Sequence, residues 1–271
     1  MTTVHPLSPP EPRSAALVCL HSSAASGRQW QPLTPWLDRG LRVHTPDLLG
    51  CGADDAWPTG WPVSLADEAA RLEPLLDAEP GGAHLLGHSY GGAVALELAL
   101  RRPAQVRSLT LYEPVRFGLL LSDPAGPAGA GQIVGVARHI QLLVLSGRRH
   151  EAAATFVDHW SGAGAWAALS GGQQDGIARR MPKVQAEFEA LFNDGMPAER
   201  FAALPMPVRL IGGRRSPLAA RQVLDRLATL LPNASCAWIE GAGHMAPVTQ
   251  PGRVAAHLPA WLRPVEERHA A

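Results

Sequence analysis

Gly87-His88-Ser89-Tyr90-Gly91 fits G-x-S-x-G, and it stands between a strand-like run, Ala83–Gly87, and a helix-like run, Tyr90–Arg102. That context gives the motif its chemical meaning. A sharp strand-to-helix turn forces the serine backbone into a strained conformation, so the residues two before and two after must be small. Gly87 and Gly91 meet that demand. The helix that starts at Tyr90 aims its free N–H groups and the positive end of its dipole at the serine oxygen. Ser89 is therefore the candidate nucleophile, and the Tyr90 N–H a candidate oxyanion donor. The bland alternative is a glycine turn with an incidental serine.

A serine hydroxyl is a weak nucleophile and needs a base. Gly241-Ala242-Gly243-His244-Met245 follows the last strand-like run, Ala237–Ile239. An imidazole on a glycine-framed loop at that strand end can lean over Ser89, so His244 is the candidate base. His21-Ser22-Ser23 closes the first strand-like run, Ala15–His21, and opens a loop of small residues. The Ser23 N–H is the candidate second oxyanion donor. An ordinary strand-to-helix turn is the plainer reading.

These groups need a frame that brings strand ends together. The continuous apolar run Ala15–His21 reads as a strand buried on both faces, and Ala83–Gly87, Val106–Tyr112 and Val208–Ile211 read as further strands. Leu41–Pro46 reads as a short strand and Ala237–Ile239 as a strand near the end. Helical spacing appears at Arg28–Leu37, Val63–Leu76, Tyr90–Arg102, Pro217–Leu231 and Arg253–Leu262. Ser64 is set as N-cap of the second of these, with Asp67 three residues on. Alternating strands and helices predict a parallel, doubly wound sheet. From Val115 to Leu204 the alternation stops. Gln132–Leu145, Glu151–Trp160, Gln173–Arg180 and Pro182–Phe192 read as helices, which predicts an inserted helical layer.

Composition narrows the classes. Apolar residues are 46% of the 271 and charged residues 18%, enough for a large buried core. Lys plus Arg and Asp plus Glu are 24 each, which argues for neither nucleic acid nor an anionic membrane as partner. Cys19, Cys51 and Cys236 are too few and too scattered for a disulfide framework or a zinc site. Cys19 and Cys236 read as small core residues. Met1–Ser14 is Pro-rich without a basic leader, and no stretch reaches membrane-spanning length free of a charge or breaker. A soluble cytoplasmic protein acting on a small molecule is expected, with no cofactor: no H-E-x-x-H, P-loop or G-x-G-x-x-G pattern occurs. Oligomeric state is not legible.

Taken in order, VCLHSS, PDLLGCG, GHSYGG and GAGHM resemble the α/β-hydrolase superfamily, in particular its small capped esterase-like branch. The resemblance spans about residues 15–115 and 208–262. It implies an α/β-hydrolase fold: a mostly parallel sheet of about six strands flanked by helices, with residues 1–114 and 205–271 as core and 115–204 as helical cap. It also implies a Ser-acid-His triad. The family's usual acid follows the penultimate strand in a Gly-x-x-Asp pattern, but here Gly213-Arg214-Arg215-Ser216 puts a serine in that place. Some members carry the acid at the end of the strand after the nucleophile helix, where this chain has Glu113. Glu113 is thus the expected third member, with Asp158 of the cap, or no acid, as alternatives. His88 is expected to pack beneath the elbow, and Asp47 to bind loop N–H groups. Asp54 and Asp55 are expected to be solvated. Trp57, Trp61, Trp160, Trp166, Phe117, Phe156 and Met245 either line an apolar acyl pocket or weld cap to core. The expected activity is serine hydrolysis of a small or medium ester. The competing readings are a non-catalytic binding protein on the same fold, an acyltransferase or perhydrolase, and a carbon–carbon bond hydrolase.

Overall fold

Ala16–Leu20 (β1) is buried at every position, as an apolar run without polar alternation must be when helices cover both sheet faces. The computed structural model describes residues 15–52, 57–58 and 60–264, so Met1–Ser14, Asp54 and Asp55 lie outside the described residues. Five further strands join β1: Arg42–His44 (β2), Ala83–His88 (β3), Val106–Tyr112 (β4), Val208–Gly213 (β5) and Ala234–Ile239 (β6). Their order is β2-β1-β3-β4-β5-β6, and every neighbouring pair is parallel. This is the six-stranded sheet that the sequence predicts. The chain leaves β1 for the β2 edge and returns to β3 on the other side. The loops after β1 and β3 consequently diverge, and a crevice opens at their carboxyl ends.

Helices cover the sheet. Leu65–Asp77 (α1) starts with a complete capping box: the Asp67 N–H donates to Ser64 Oγ at 3.1 Å, and the Ser64 N–H donates to Asp67 Oδ2 at 3.0 Å. Tyr90–Arg101 (α2) is apolar apart from Glu97 and is buried from Tyr90 to Leu100, the pattern of a central helix. Between β4 and β5 come Gly118–Leu121 (α3), Ala128–Leu145 (α4), Arg149–Ser161 (α5), Gly171–Phe192 (α6) and Ala198–Ala202 (α7). After β5 come Leu218–Leu230 (α8), Ala246–Thr249 (α9) and Pro251–Ala255 (α10). Helices α4, α5 and α6 pack on one another over the sheet ends, as a cap would. By length and composition α4 is apolar enough to cross a membrane; here it packs on α5, α6 and α8, with Leu142 and Leu145 facing outward. The fully buried Arg116 bonds to Glu97 of α2 and to Asp194, just beyond α6, and so ties the inserted helices to the core.

The structure corrects four expectations. Arg28–Leu37 is not an α-helix but two 3₁₀ turns, Gly27–Trp30 and Thr34–Trp36. Pro32 and Pro35 lack the N–H groups that an α-helix would use, yet Trp30, Leu33 and Leu37 still reach the core. Gln173–Arg180 and Pro182–Phe192 form one helix, α6, running through Pro182. Burial of Ala178, Met181, Val184, Phe188 and Leu191 along one side outweighs the roughly 3 kcal/mol an internal proline costs. Arg253–Leu262 is broken into α10 and a 3₁₀ turn, Ala260–Leu262, at Pro259. Cys19 is buried as expected, but Cys236 is exposed because β6 is the sheet's edge strand.

Candidate active site

The elbow is built as its sequence requires. Ser89 adopts φ 56°, ψ −120°, in the left-handed half of conformational space that a side chain normally avoids. Space explains the glycines. A Cβ on Gly87 would lie 2.6 Å from Gly92 Cα, and one on Gly91 would lie 2.3 Å from the Leu20 and His21 carbonyl oxygens. The turn therefore projects the Ser89 hydroxyl into the crevice between β1 and β3.

Three elements far apart in the chain converge there. His244, on the loop after β6, accepts the Ser89 Oγ–H on Nε2 at 2.9 Å. Its Nδ1–H donates to Glu113 Oε2 at 2.7 Å. All three residues are buried. Glu113, at the end of β4, is held by two more donors on Oε1: the Gly213 N–H at 2.6 Å and the Ser216 Oγ–H at 2.6 Å. Ser216, in the family's usual acid place, is thus a donor to a carboxylate arriving from the adjacent strand. Glu113 sits at φ 44°, a strained conformation for a non-glycine residue that these three hydrogen bonds stabilise. Asp158 instead accepts from the Trp166 N–H at 2.8 Å.

A second layer fixes the loops. His88 Nε2–H donates to the His244 carbonyl at 2.9 Å, so its Nδ1 accepts from Gln29 Nε2 at 3.1 Å. Gln29 Oε1 in turn accepts from the Ser22 N–H and Oγ–H at 3.0 and 2.6 Å. The chain Ser22–Gln29–His88–His244 runs from the β1 loop to the base loop without a gap. Burial, and the neighbouring His244, hold His88 well below the ordinary histidine range, so it is neutral, as this donor–acceptor pattern needs. Tyr112 Oη donates to the Gly243 carbonyl at 2.8 Å. Asp47 accepts from the Gly27 N–H at 2.7 Å, the loop-shaping role its position suggests.

Above Ser89 lies an apolar cavity of about 200 Å³. Ser22, Ser23 and Ala24 of the β1 loop line it, with Phe156, Trp160 and Met245. The Trp160 ring packs on His244 with 4.3 Å between centroids. Other expected aromatics lie elsewhere. Phe117 is buried behind Trp160 and stacks on it at 6.4 Å, welding cap to core. Trp166 meets His150 edge-on. Trp57 donates to the Trp61 carbonyl and lines a groove beside Lys183. Trp61 is exposed.

Beneath the β1 loop is a buried charge cluster that the sequence did not disclose. Lys183 Nζ of α6 donates to Glu68 of α1 at 2.8 Å and to Glu187 at 3.0 Å. Tyr90 Oη donates to Glu68 at 3.2 Å, and the ammonium lies 5.1 Å from the Tyr90 ring centre. In sequence, Lys183 and Glu187 look like a solvated i,i+4 pair; only the packing of α6 reveals their burial. Burial works against the Lys183 charge, but Glu187 and Glu68 overcome it and hold the ammonium above the usual lysine range. Burial pushes Glu187 up, with Lys183 pulling the other way. Lys183→Met would leave two buried carboxylates without a counter-ion. It is expected to cost about 3–5 kcal/mol of stability, measured by urea titration; a loss under about 1 kcal/mol would show that the cluster is not holding the cap.

Among the described residues no His/Cys/Asp/Glu group is arranged to hold a metal. The arrangement can deprotonate a hydroxyl, hold a tetrahedral oxyanion against backbone N–H groups and protonate a leaving group.

Comparison with known proteins gives the family. Residues 17–257 match the alpha/beta hydrolase family. A pimeloyl-[acyl-carrier protein] methyl ester esterase from Aromatoleum aromaticum is 31% identical over 252 residues, covering 87% of this chain and 93% of that protein. A 2-hydroxy-6-oxo-2,4-heptadienoate hydrolase from Pseudomonas putida is 34% identical over 111 residues, covering 40% of each. The crystal structure of a hydrolase from Pseudomonas aeruginosa superposes with a TM-score of 0.72 at 24% identity, covering 92% of this chain and 91% of that one. By residues matched, by near-full-length similarity and by fold, the chain belongs to the alpha/beta hydrolase family.

Proposed function

We propose that this chain is a carboxylic ester hydrolase that works through an acyl-enzyme on Ser89. The hydrogen-bonded line Ser89–His244–Glu113, opening into an apolar cavity, carries the reading. Ser89 Oγ attacks the ester carbonyl while His244 Nε2 takes its proton. The oxyanion forms against the N–H groups of Tyr90 and Ser23. Tyr90 is the first residue of α2, so no intrahelical partner competes for its N–H. His244 passes the proton to the leaving oxygen, then activates the water that releases the acid. Glu113 fixes the imidazole tautomer and stabilises the charged ring.

The ester reading also draws on the relative matched over 93% of its own length, which is a methyl ester esterase. The carbon–carbon hydrolase overlaps far less of this chain, so a β-diketone-like substrate ranks second. A binding protein without catalysis would have no use for a base oriented by a buried carboxylate. Unpaired Cys19, Cys51 and Cys236 suit a reducing, cytoplasmic setting.

Cavity size sets the acyl range. About 200 Å³ is somewhat more than the roughly 150 Å³ of an apolar cavity that takes up one benzene, which suits a short or medium acyl chain. With p-nitrophenyl esters, kcat/KM is expected to peak between four and eight acyl carbons and to fall at least tenfold by sixteen. No turnover at any length, or a steady rise to sixteen carbons, would refute this reading of the cavity.

A further inference from the structure

Trp160, Ser161, His244 and Met245 line both of two adjoining chambers. The first is the apolar cavity already described, which touches both Ser89 and the β1 loop. The second is larger, about 670 Å³, and touches His244 but not Ser89. Its lining differs in chemistry. Gln132, His159, Arg215, Thr249 and Gln250 face it, and no Asp or Glu is among its described lining residues. His159 Nε2 is buried there without a hydrogen-bond partner. Two adjacent arginines on the loop after β5 are used differently. Arg214 stacks on Trp238 and pairs with Glu240 at 3.5 Å. Arg215 is exposed, and its guanidinium has no ion pair or hydrogen bond with any described side chain.

The acyl-transfer cycle assigns the two chambers, and this step rests on the esterase reading above. The carbonyl carbon must reach Ser89 with its oxygen toward the β1 loop, so the acyl group occupies the chamber that holds both. The leaving oxygen must reach the proton on His244, so the leaving group extends on the His244 side. We propose that the second chamber is the leaving-group subsite, and that Arg215 selects esters whose alcohol or phenol carries a carboxylate. A guanidinium matches a carboxylate with two parallel N–H···O bonds. A chamber without acids imposes no repulsion on it. The bond from Ser89 Oγ to the acyl carbon forms as the carbon–oxygen bond to the leaving group breaks. The serine proton leaves with that oxygen by way of His244, and the carboxylate takes no part in the chemistry.

The test uses two butanoate esters of matched shape, one of 4-hydroxybenzoate and one of 4-hydroxybenzamide. The wild-type chain is expected to favour the anionic ester in kcat/KM by about five- to tenfold at low salt, falling as salt screens the exposed arginine. Arg215→Gln is expected to bring the ratio close to one, and Arg215→Glu to push it below one. As a second readout on the wild type, free 4-hydroxybenzoate should inhibit hydrolysis of the amide-bearing ester competitively, and more strongly than 4-hydroxybenzamide does. A wild-type ratio near one with Ser89 still labelled by a fluorophosphonate overturns the subsite and leaves the esterase standing. A preference that survives Arg215→Gln overturns the role of Arg215. If neither ester turns over and Ser89 resists labelling, the esterase reading falls and the subsite falls with it.

Discussion

Ser89→Ala is expected to abolish turnover of p-nitrophenyl butanoate to within a residual rate, a loss of about 10⁵–10⁶ in kcat. His244→Ala should cost nearly as much, and the double variant hardly more than either alone. In the proposed mechanism hydroxyl and imidazole, joined at 2.9 Å, act as one unit, so removing one partner strands the other. Such non-additivity is the stronger evidence, because two independent contributions would multiply. The fold should be unaffected. Ser89 contributes its backbone N–H to the Tyr112 carbonyl and its carbonyl to the Gly92 and Ala93 N–H groups, and alanine keeps all of these. Labelling by a fluorophosphonate that persists in Ser89→Ala would place the nucleophile elsewhere. So would a variant retaining more than about a hundredth of wild-type kcat.

Glu113→Gln is expected to lower kcat by about 10⁴, the scale on which a triad fails when its carboxylate becomes an amide. The geometry leaves glutamine no good orientation. If its NH₂ faces His244, two donors meet, and the imidazole must take the tautomer whose Nε2 carries the proton and cannot accept from Ser89. If the amide turns round, its NH₂ faces the Gly213 N–H and the Ser216 hydroxyl, which now donate to Glu113 Oε1. Ser216 can rotate away, but the Gly213 N–H cannot. A buried donor without an acceptor costs about 1–3 kcal/mol, so the unproductive orientation prevails. The neighbouring position offers a complement. In Glu113→Ala/Ser216→Asp a carboxylate returns from the β5 loop, the family's usual place, and kcat is expected to recover at least tenfold over Glu113→Ala. A Glu113→Gln rate within tenfold of wild type would remove the residue from the triad.

Much of this site was legible along the chain because its demands are local. A strained elbow needs glycine at 87 and 91, and the sequence supplies both. A helix beginning at Leu65 needs an acceptor at its N-cap, and Ser64 with Asp67 forms the box in the structure. All six strands were visible as short runs rich in apolar residues, the half-exposed edge strands β2 and β6 included, though β6 begins at Ala234, three residues before the run Ala237–Ile239 that marks it. Where local pattern and packing disagreed, packing decided. Helical spacing in Arg28–Leu37 and the proline within α6 each pointed the wrong way, because neither signal contains what the neighbouring elements bury.

What the sequence determined by itself was the strained serine turn, the glycine-framed histidine and the strands whose ends must carry them, for each is set by steric and hydrogen-bonding rules that act over a few residues. What only the tertiary structure decided was which groups meet. Glu113 reaches His244 because β4 and β5 are neighbours and Gly213 and Ser216 fill its remaining lone pairs. Gln29 reaches His88 across fifty-nine positions. Lys183 lies buried between Glu68 and Glu187 only because α6 packs on the core. Partner choice among polar groups depends on distance and on the absence of water, and neither exists until the chain has folded.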